Sequence, residues 1–257
     1  MELMNYEIKN TIVGKPQKCL ICGKEYKKVT VGKDRFQITC YEAQCTCEKD
    51  LAMQEEKERI KKVQRINNAA LLSKRFDNSM LSKRLRKMEF ENLDQSMNIK
   101  EINFCKNFVK TFDTETSTGI QMLGNTGAGK SSLLACICNG LIRQGYNCLF
   151  TTLSNLISDF VQYSGENYGN INSKLNWLLR FDFIVLDDIG RENLTEKRKE
   201  VLFQIVDALY NEEKIIAFTA NPEMITKLKK DKELEAILNR LKALCPNSFE
   251  FHGKSLR

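Results

Sequence analysis

Gly124, Asn125, Thr126, Gly127, Ala128, Gly129, Lys130 and Ser131 follow one another between an apolar run and a helical pattern, spaced as Gly-x-x-x-x-Gly-Lys-Ser. Glycines let a backbone wrap its N–H groups around an anion, and a helix opening at the loop adds the favourable end of its dipole. The segment therefore reads as a P-loop. Lys130 is expected to reach the β- and γ-phosphates of ATP, the Ser131 hydroxyl to ligate magnesium, and Ser132 to join the nucleotide-binding set. Magnesium must also be held from the opposite side, and a water must be aimed at the γ-phosphate. FIVLDDIG supplies two carboxylates, Asp187 and Asp188, at the end of an apolar strand expected to lie adjacent to the P-loop strand. Asp187 is read as a magnesium ligand. Asp188 is read as the group that orients or deprotonates the attacking water, one methylene shorter than a glutamate, with Glu192 as a possible helper.

The next apolar strand ends in IIAFTAN, which sets Asn221 beside Asp187. Its amide can hold the water or sense the γ-phosphate, although Asn before Pro222 is also a common turn starter. A third group is built for a metal. Cys19-Leu-Ile-Cys22, followed by Gly23, and Cys45-Thr-Cys47 offer four soft thiolates, enough for a closed tetrahedral zinc site. Cys40 is a fifth candidate, and the C-x-C spacing leaves open the choice between it and one of the later pair. A thiol switch is the competing reading of such cysteines in a cytosolic protein. Cys105, Cys136, Cys138, Cys148 and Cys245 sit in apolar patterns and read as small core residues. The single histidine, His252, lies on an expected final strand, so no histidine-based triad is available.

These residues must be positioned by a fold, and the pattern after Gly119 alternates strand and helix. GIQML, NCLFTT, FIVLDD and IIAFTAN read as strands, separated by KSSLLACICNGLIRQG, helical pieces to Phe181, and EKRKEVLFQIVDALYNE. Two helices around Leu228 and Leu238 follow and suggest a lid. Near-continuous apolar strands alternating with helices imply an α/β fold, a parallel sheet sandwiched by helices. Ahead of it, IKEINFCKNFVKTF carries Ile99, Ile102, Cys105, Phe108, Val109 and Phe112 at helical spacing. Three parts are expected: a cysteine-rich zinc-binding domain over 1–50, a basic helical linker over 51–88, and an ATPase domain over 89–257. The linker carries no glycine or proline, and its helical pattern runs from Glu48 to about Lys87.

Of 257 residues, 42% are hydrophobic and 28% charged, which fits a soluble globular chain rather than a fibrous or disordered one. The apolar runs are too short to span a bilayer, and the start lacks the layout of a signal peptide, so a cytoplasmic location is expected. Residues 1–90 hold 20 Lys and Arg against 12 Asp and Glu, while residues 91–257 hold 20 against 21. The excess positive charge therefore precedes the ATPase part. It suits a nucleic acid or an acidic protein surface, or forms a solvated basic helix.

GNTGAGKSSLL, FIVLDDIGRENLTEKRKEVLFQIVDALYN, FTANPEM, ILNRL and FEFHGKSLR together resemble the AAA+ ATPases of the bacterial replicative helicase loader family, of DnaC and DnaI type, including phage relatives. The resemblance covers roughly residues 88–257, and the cysteine-rich front end resembles that of phage versions. It implies that Asn221 is the sensor asparagine, Arg240 an arginine finger acting on a neighbouring subunit's site, and Arg257 a second sensor contacting ATP from the lid. It further implies partners: a hexameric replicative helicase, single-stranded DNA, and other copies of the chain. A transposition helper ATPase of IstB type shares the core motifs, and a nucleotide-gated adaptor with negligible turnover is a third reading.

Overall fold

A computed structural model of the chain describes residues 11–13, 18–19, 21–31, 38–42, 45–94, 98–163, 171–190 and 194–251. The chain divides into two units, residues 1–69 and 70–257. In the first, β1 (Thr11–Val13), β2 (Lys27–Val31) and β3 (Ile38–Glu42) form an antiparallel sheet in the order β1-β3-β2. Its described apolar cluster consists of Cys19, Tyr26 and Tyr41, with Cys45 and Cys47 packed against them. Helix α1 (Cys47–Asn78) then runs for 32 residues, and residues 54–71 are exposed along it.

Helix α1 stops at Asn78, short of the Lys87 that its pattern suggests. Ser79 donates its hydroxyl to the Phe76 carbonyl at 2.7 Å and accepts from the Leu81 N–H at 3.3 Å, and Met80 turns left-handed with φ 58°. A local hydroxyl that competes for backbone partners is a common way to end a helix. The following strap, residues 79–93, buries Leu81 and Leu85 and contains a short 3-10 turn at Leu85–Lys87. Helix α2 (Ile99–Thr111) buries Ile102, Cys105, Phe108 and Val109. Ile99 is exposed instead, at the first position of the helix, ahead of the stripe that packs.

The sheet of the second unit has five parallel strands: β4 (Ile120–Gly124), β5 (Cys148–Thr152), β6 (Phe183–Ile189), β7 (Ile216–Ala220) and β8 (Asn247–Phe251). Their order is β5-β6-β7-β4-β8. Thus β7 lies between the P-loop strand β4 and the aspartate strand β6, which are not adjacent as expected. The helices are α3 (Lys130–Gln144), α4 (Leu153–Tyr163), α5 (Ile171–Leu178), α6 (Glu196–Asn211), α7 (Pro222–Leu228) and α8 (Lys232–Leu244).

Side chains alternate across the sheet, as the pleat requires. Phe183 and Val185 of β6 enter a core with α2 and α3, while Ile184 and Leu186 enter another with α4, α6 and α8. Both faces are therefore covered. Rather than standing apart as a lid, α7 and α8 bury Ile225, Ile237, Leu238 and Leu241 in the second core. Along the outer edge of the sheet, the Phe150 N–H donates to the Ser79 carbonyl at 2.8 Å, so the strap covers the backbone of β5. Cys105, Cys136, Cys138, Cys148 and Cys245 are all buried, and burial pushes the Cys136 thiol up to about 12 and the Cys105, Cys148 and Cys245 thiols upward as well. Among the described residues no helix is long and apolar enough to cross a membrane.

Candidate functional site

Residues 124–132 curl from the end of β4 into the first turn of α3, and their conformation explains their composition. Gly127 and Gly129 hold φ of 86° and 90°, a left-handed backbone that side chains resist. The loop turns tightly enough for the Lys130 ammonium to donate to the carbonyls of Gly124 at 2.7 Å and Asn125 at 2.8 Å. A cleft of about 380 Å³ opens over this loop. Its lining includes Gly124, Thr126, Gly127, Ala128, Gly129, Lys130, Ser131 and Ser132, and from the other side Asp187, Asp188, Thr219 and Asn221.

The aspartates reach the cleft through an irregularity. Leu186 pairs with Phe218 and Ile189 with Ala220, so Asp187 and Asp188 together face the single residue Thr219. This extra residue is a β-bulge, and such bulges re-aim side chains near active sites. Asp188 takes φ 62°, a strained value for a residue with a side chain, and its N–H donates to Thr219 Oγ1 at 2.8 Å. Thr219 Oγ1 in turn donates to Asp187 Oδ1 at 2.6 Å, and the Ser131 hydroxyl donates to the same oxygen at 2.8 Å. The chain leaves the bulge through Gly190, with φ 101°. A Cβ there would lie 2.5 Å from Met224 Cβ.

The donor set suits magnesium. Adjacent oxygens in an octahedral magnesium shell lie about 2.9 Å apart, close to the 2.8 Å between Ser131 Oγ and Asp187 Oδ1. Asn221 lines the same cleft and also caps α7, accepting from the Glu223 N–H at 3.0 Å, the turn-starting role. The β7 side chain bonded to Asp187 Oδ1 is that of Thr219. Arg240 is not brought to the cleft of its own chain: it lies 3.4 Å from Asp207 Oδ1 and over the Phe203 ring at 4.7 Å, both on α6. Arg257, Glu192 and His252 lie outside the described residues.

Three lining residues escape the sequence reading: Thr219, Arg84 and Leu85. The last two come from the strap, which is tied to the P-loop helix by buried Asn139. Its Nδ2 donates to the carbonyls of Leu85 at 2.9 Å and Met88 at 2.7 Å. A polar residue at a buried helix position was the signal for that tie; nothing local marks Arg84 or Thr219.

In the first unit, the ligand sulfurs of Cys19, Cys22, Cys45 and Cys47 all lie within 4.8 Å of one another. Tetrahedral zinc with bonds of about 2.3 Å sets sulfurs about 3.8 Å apart, so this quartet fits the metal with small adjustments. The knuckle is local: Gly23 donates its N–H to the Cys19 carbonyl at 2.9 Å, with φ 72° at the glycine. A bond from the Lys24 backbone lowers the Cys22 thiol to about 7, while a hydrogen bond with Cys19 raises the Cys45 thiol to about 12. Four thiols so close together are a set suited to a cation. Cys40 sits on β3, paired across the sheet with Val29, and its side chain lies outside the described ones.

Known proteins are similar to this chain in sequence and in fold. The replicative helicase loader DnaC of Escherichia coli is 28% identical over 192 residues, covering 71% of this chain and 77% of that protein. A protein of Sinorhizobium fredii described as an insertion sequence ATP-binding protein is 33% identical over 102 residues, 40% of this chain and 33% of its own length. The crystal structure of the DnaC helicase loader matches with a TM-score of 0.57 at 20% identity, over 66% of this chain and 100% of that one, so the fold is the AAA+ fold. Broader than any of these is the match to a family profile, which runs from residue 35 to residue 257, and by it the chain belongs to the family of IstB-like ATP binding proteins.

Proposed function

We propose that this protein is a cytoplasmic, ATP-dependent loader of a hexameric replicative DNA helicase, acting in DNA replication. The observation that carries the reading is the hydrogen-bonded set of Ser131, Asp187 and Thr219 at the mouth of the P-loop, in a chain whose likeness to a helicase loader extends over 71% of its length. In this reading residues 124–132 cradle the triphosphate of ATP, and Ser131 and Asp187 hold magnesium. Magnesium, when bound, neutralises charge developing on the phosphate oxygens. Asp188 accepts a proton from water as the water oxygen bonds to the γ-phosphorus and the bond to the bridging oxygen breaks, leaving ADP and phosphate. Asn221 orients that water, Arg240 contributes its guanidinium to the site of a neighbouring copy, and Arg257 contacts ATP. Cys19, Cys22, Cys45 and Cys47 hold zinc, and the basic residues 1–90 grip the helicase while the ATPase unit contacts single-stranded DNA.

With ATP present, the purified protein is expected to bind a single-stranded oligonucleotide with an affinity that falls as salt rises, and to retain a replicative helicase in a pull-down. Absent or salt-independent DNA binding, with no helicase retained, defeats the reading. A second reading, a transposition helper ATPase, is supported by the IstB-like family profile and by the Sinorhizobium relative. Retention of a transposase in place of a helicase would favour it.

A further inference from the structure

Arg84 begins the 3-10 turn of the strap and lines the nucleotide cleft with Lys130 and Asp187. Its side chain is exposed, and among the described residues no carboxylate pairs with it. Arg86, two positions on, is used differently: its Nε donates to the Leu81 carbonyl at 2.9 Å and its Nη1 to Asp77 Oδ1 at 2.8 Å. The backbone that follows Arg84 is fixed, because Asn139 holds the Leu85 and Met88 carbonyls and Arg143 pairs with Glu89 at 2.8 Å. A side chain with no carboxylate partner among the described residues, next to backbone so firmly tied to the P-loop helix, is pre-positioned for something that enters the cleft.

Charge indicates what enters. Among the described residues, the ionisable side chains lining the cleft are Arg84, Lys130, Asp187 and Asp188. Lys130 already donates to two backbone carbonyls. A polyphosphate spreads its charge over several oxygens, so a second cation beside Lys130 has oxygens to pair with. A guanidinium offers parallel N–H donors that match two oxygens of a phosphate and stays charged at any working pH. We infer that Arg84 contacts the nucleotide within its own chain, pairing with the polyphosphate seated on the P-loop; the assignment rests on the nucleotide reading above. It differs from the role proposed for Arg240, which acts between copies.

The test is a titration of the full-length protein with a fluorescent ATP analogue, reading the dissociation constant at several salt concentrations. Arg84→Ala is expected to weaken binding about 10-fold or more at low salt, the scale of a hydrogen bond to a charged group. The gap to wild type should narrow as salt rises, because screening erodes an ionic contact. Arg84→Lys should recover part of the loss, and Lys87→Ala, an exposed cation on the same turn outside the cleft, should bind as wild type does. Undiminished binding by Arg84→Ala, an equal loss in Lys87→Ala, or a loss indifferent to salt each overturns the assignment while leaving the nucleotide reading intact. Wild-type protein that binds no nucleotide overturns both.

Discussion

Among the described residues of 1–69 the buried apolar cluster is Cys19, Tyr26 and Tyr41, beside a group of four thiols that includes Cys19 itself, whereas each face of the sheet in residues 70–257 carries a core drawn from several helices. Burying a large apolar side chain contributes about 1.5–3 kcal/mol, while structural zinc in a small unit contributes about 10–16 kcal/mol. In the first unit zinc, once bound, would therefore outweigh everything the described cluster supplies. In the second, apolar burial suffices, and a metal would serve only chemistry. The comparison teaches that the two proposed cation sites of one chain would have unrelated purposes: one would substitute for a core, and the other would be built on a finished core.

Removing zinc with a chelator is the sharpest way to break this contrast. Hydrogen exchange is expected to reach nearly unfolded rates in β2 and β3 while β4, β6 and β7 keep their protection. Retained protection across residues 27–42 in metal-free protein would show that the first unit needs no metal. Within the second unit, Lys130→Ala and Asp188→Asn should separate holding from reacting. Lys130→Ala is expected to weaken ATP binding about 100-fold, losing hydrogen bonds from a charged donor. Asp188→Asn should bind ATP nearly as wild type and hydrolyse it about 100-fold more slowly, the lower end of what a positioned base supplies. Equal phosphate release by Asp188→Asn and wild type would remove Asp188 from the reaction and favour a nucleotide-gated adaptor. The smallest effect is expected for Thr219→Val, which keeps the shape but strands the Asp188 N–H. A loss of about 1–3 kcal/mol in stability should appear in thermal melts, with a lower kcat, little change in KM, and recovery in Thr219→Ser. A Thr219→Val enzyme with unaltered kcat would show that the hydroxyl is dispensable.

Much of the second unit, and the knuckle of the first, was legible because their signals are local. The P-loop is eight consecutive residues, the apolar strands announce burial on both faces, and Cys19 and Cys22 mark their own knuckle. What was not legible depends on residues far apart in sequence. Strand order is one case: nothing in FIVLDD or IIAFTAN tells that β7 slips between β4 and β6. The bulge is another, since the pairing of Leu186 with Phe218 and Ile189 with Ala220 exists only once the sheet has formed. For the same reason Asn221 was visible as the polar end of a strand, whereas Thr219, two residues earlier in an apolar run, carries no local signal. The strap was hidden inside a pattern that continued the linker helix, because the serine that ends it at Asn78 looks like any exposed polar position.

The doubled aspartate in β6 also sets a limit on how stable this fold can be. A ladder with one residue opposite Thr219 would pair without interruption and would need neither a left-handed aspartate nor a glycine wedged against Met224. Folding alone would favour that more regular strand, so robustness is surrendered at the spot where the proposed reactive group, Asp188, stands. Attempts to harden this protein by smoothing its sheet should therefore end in a sturdier and inert one.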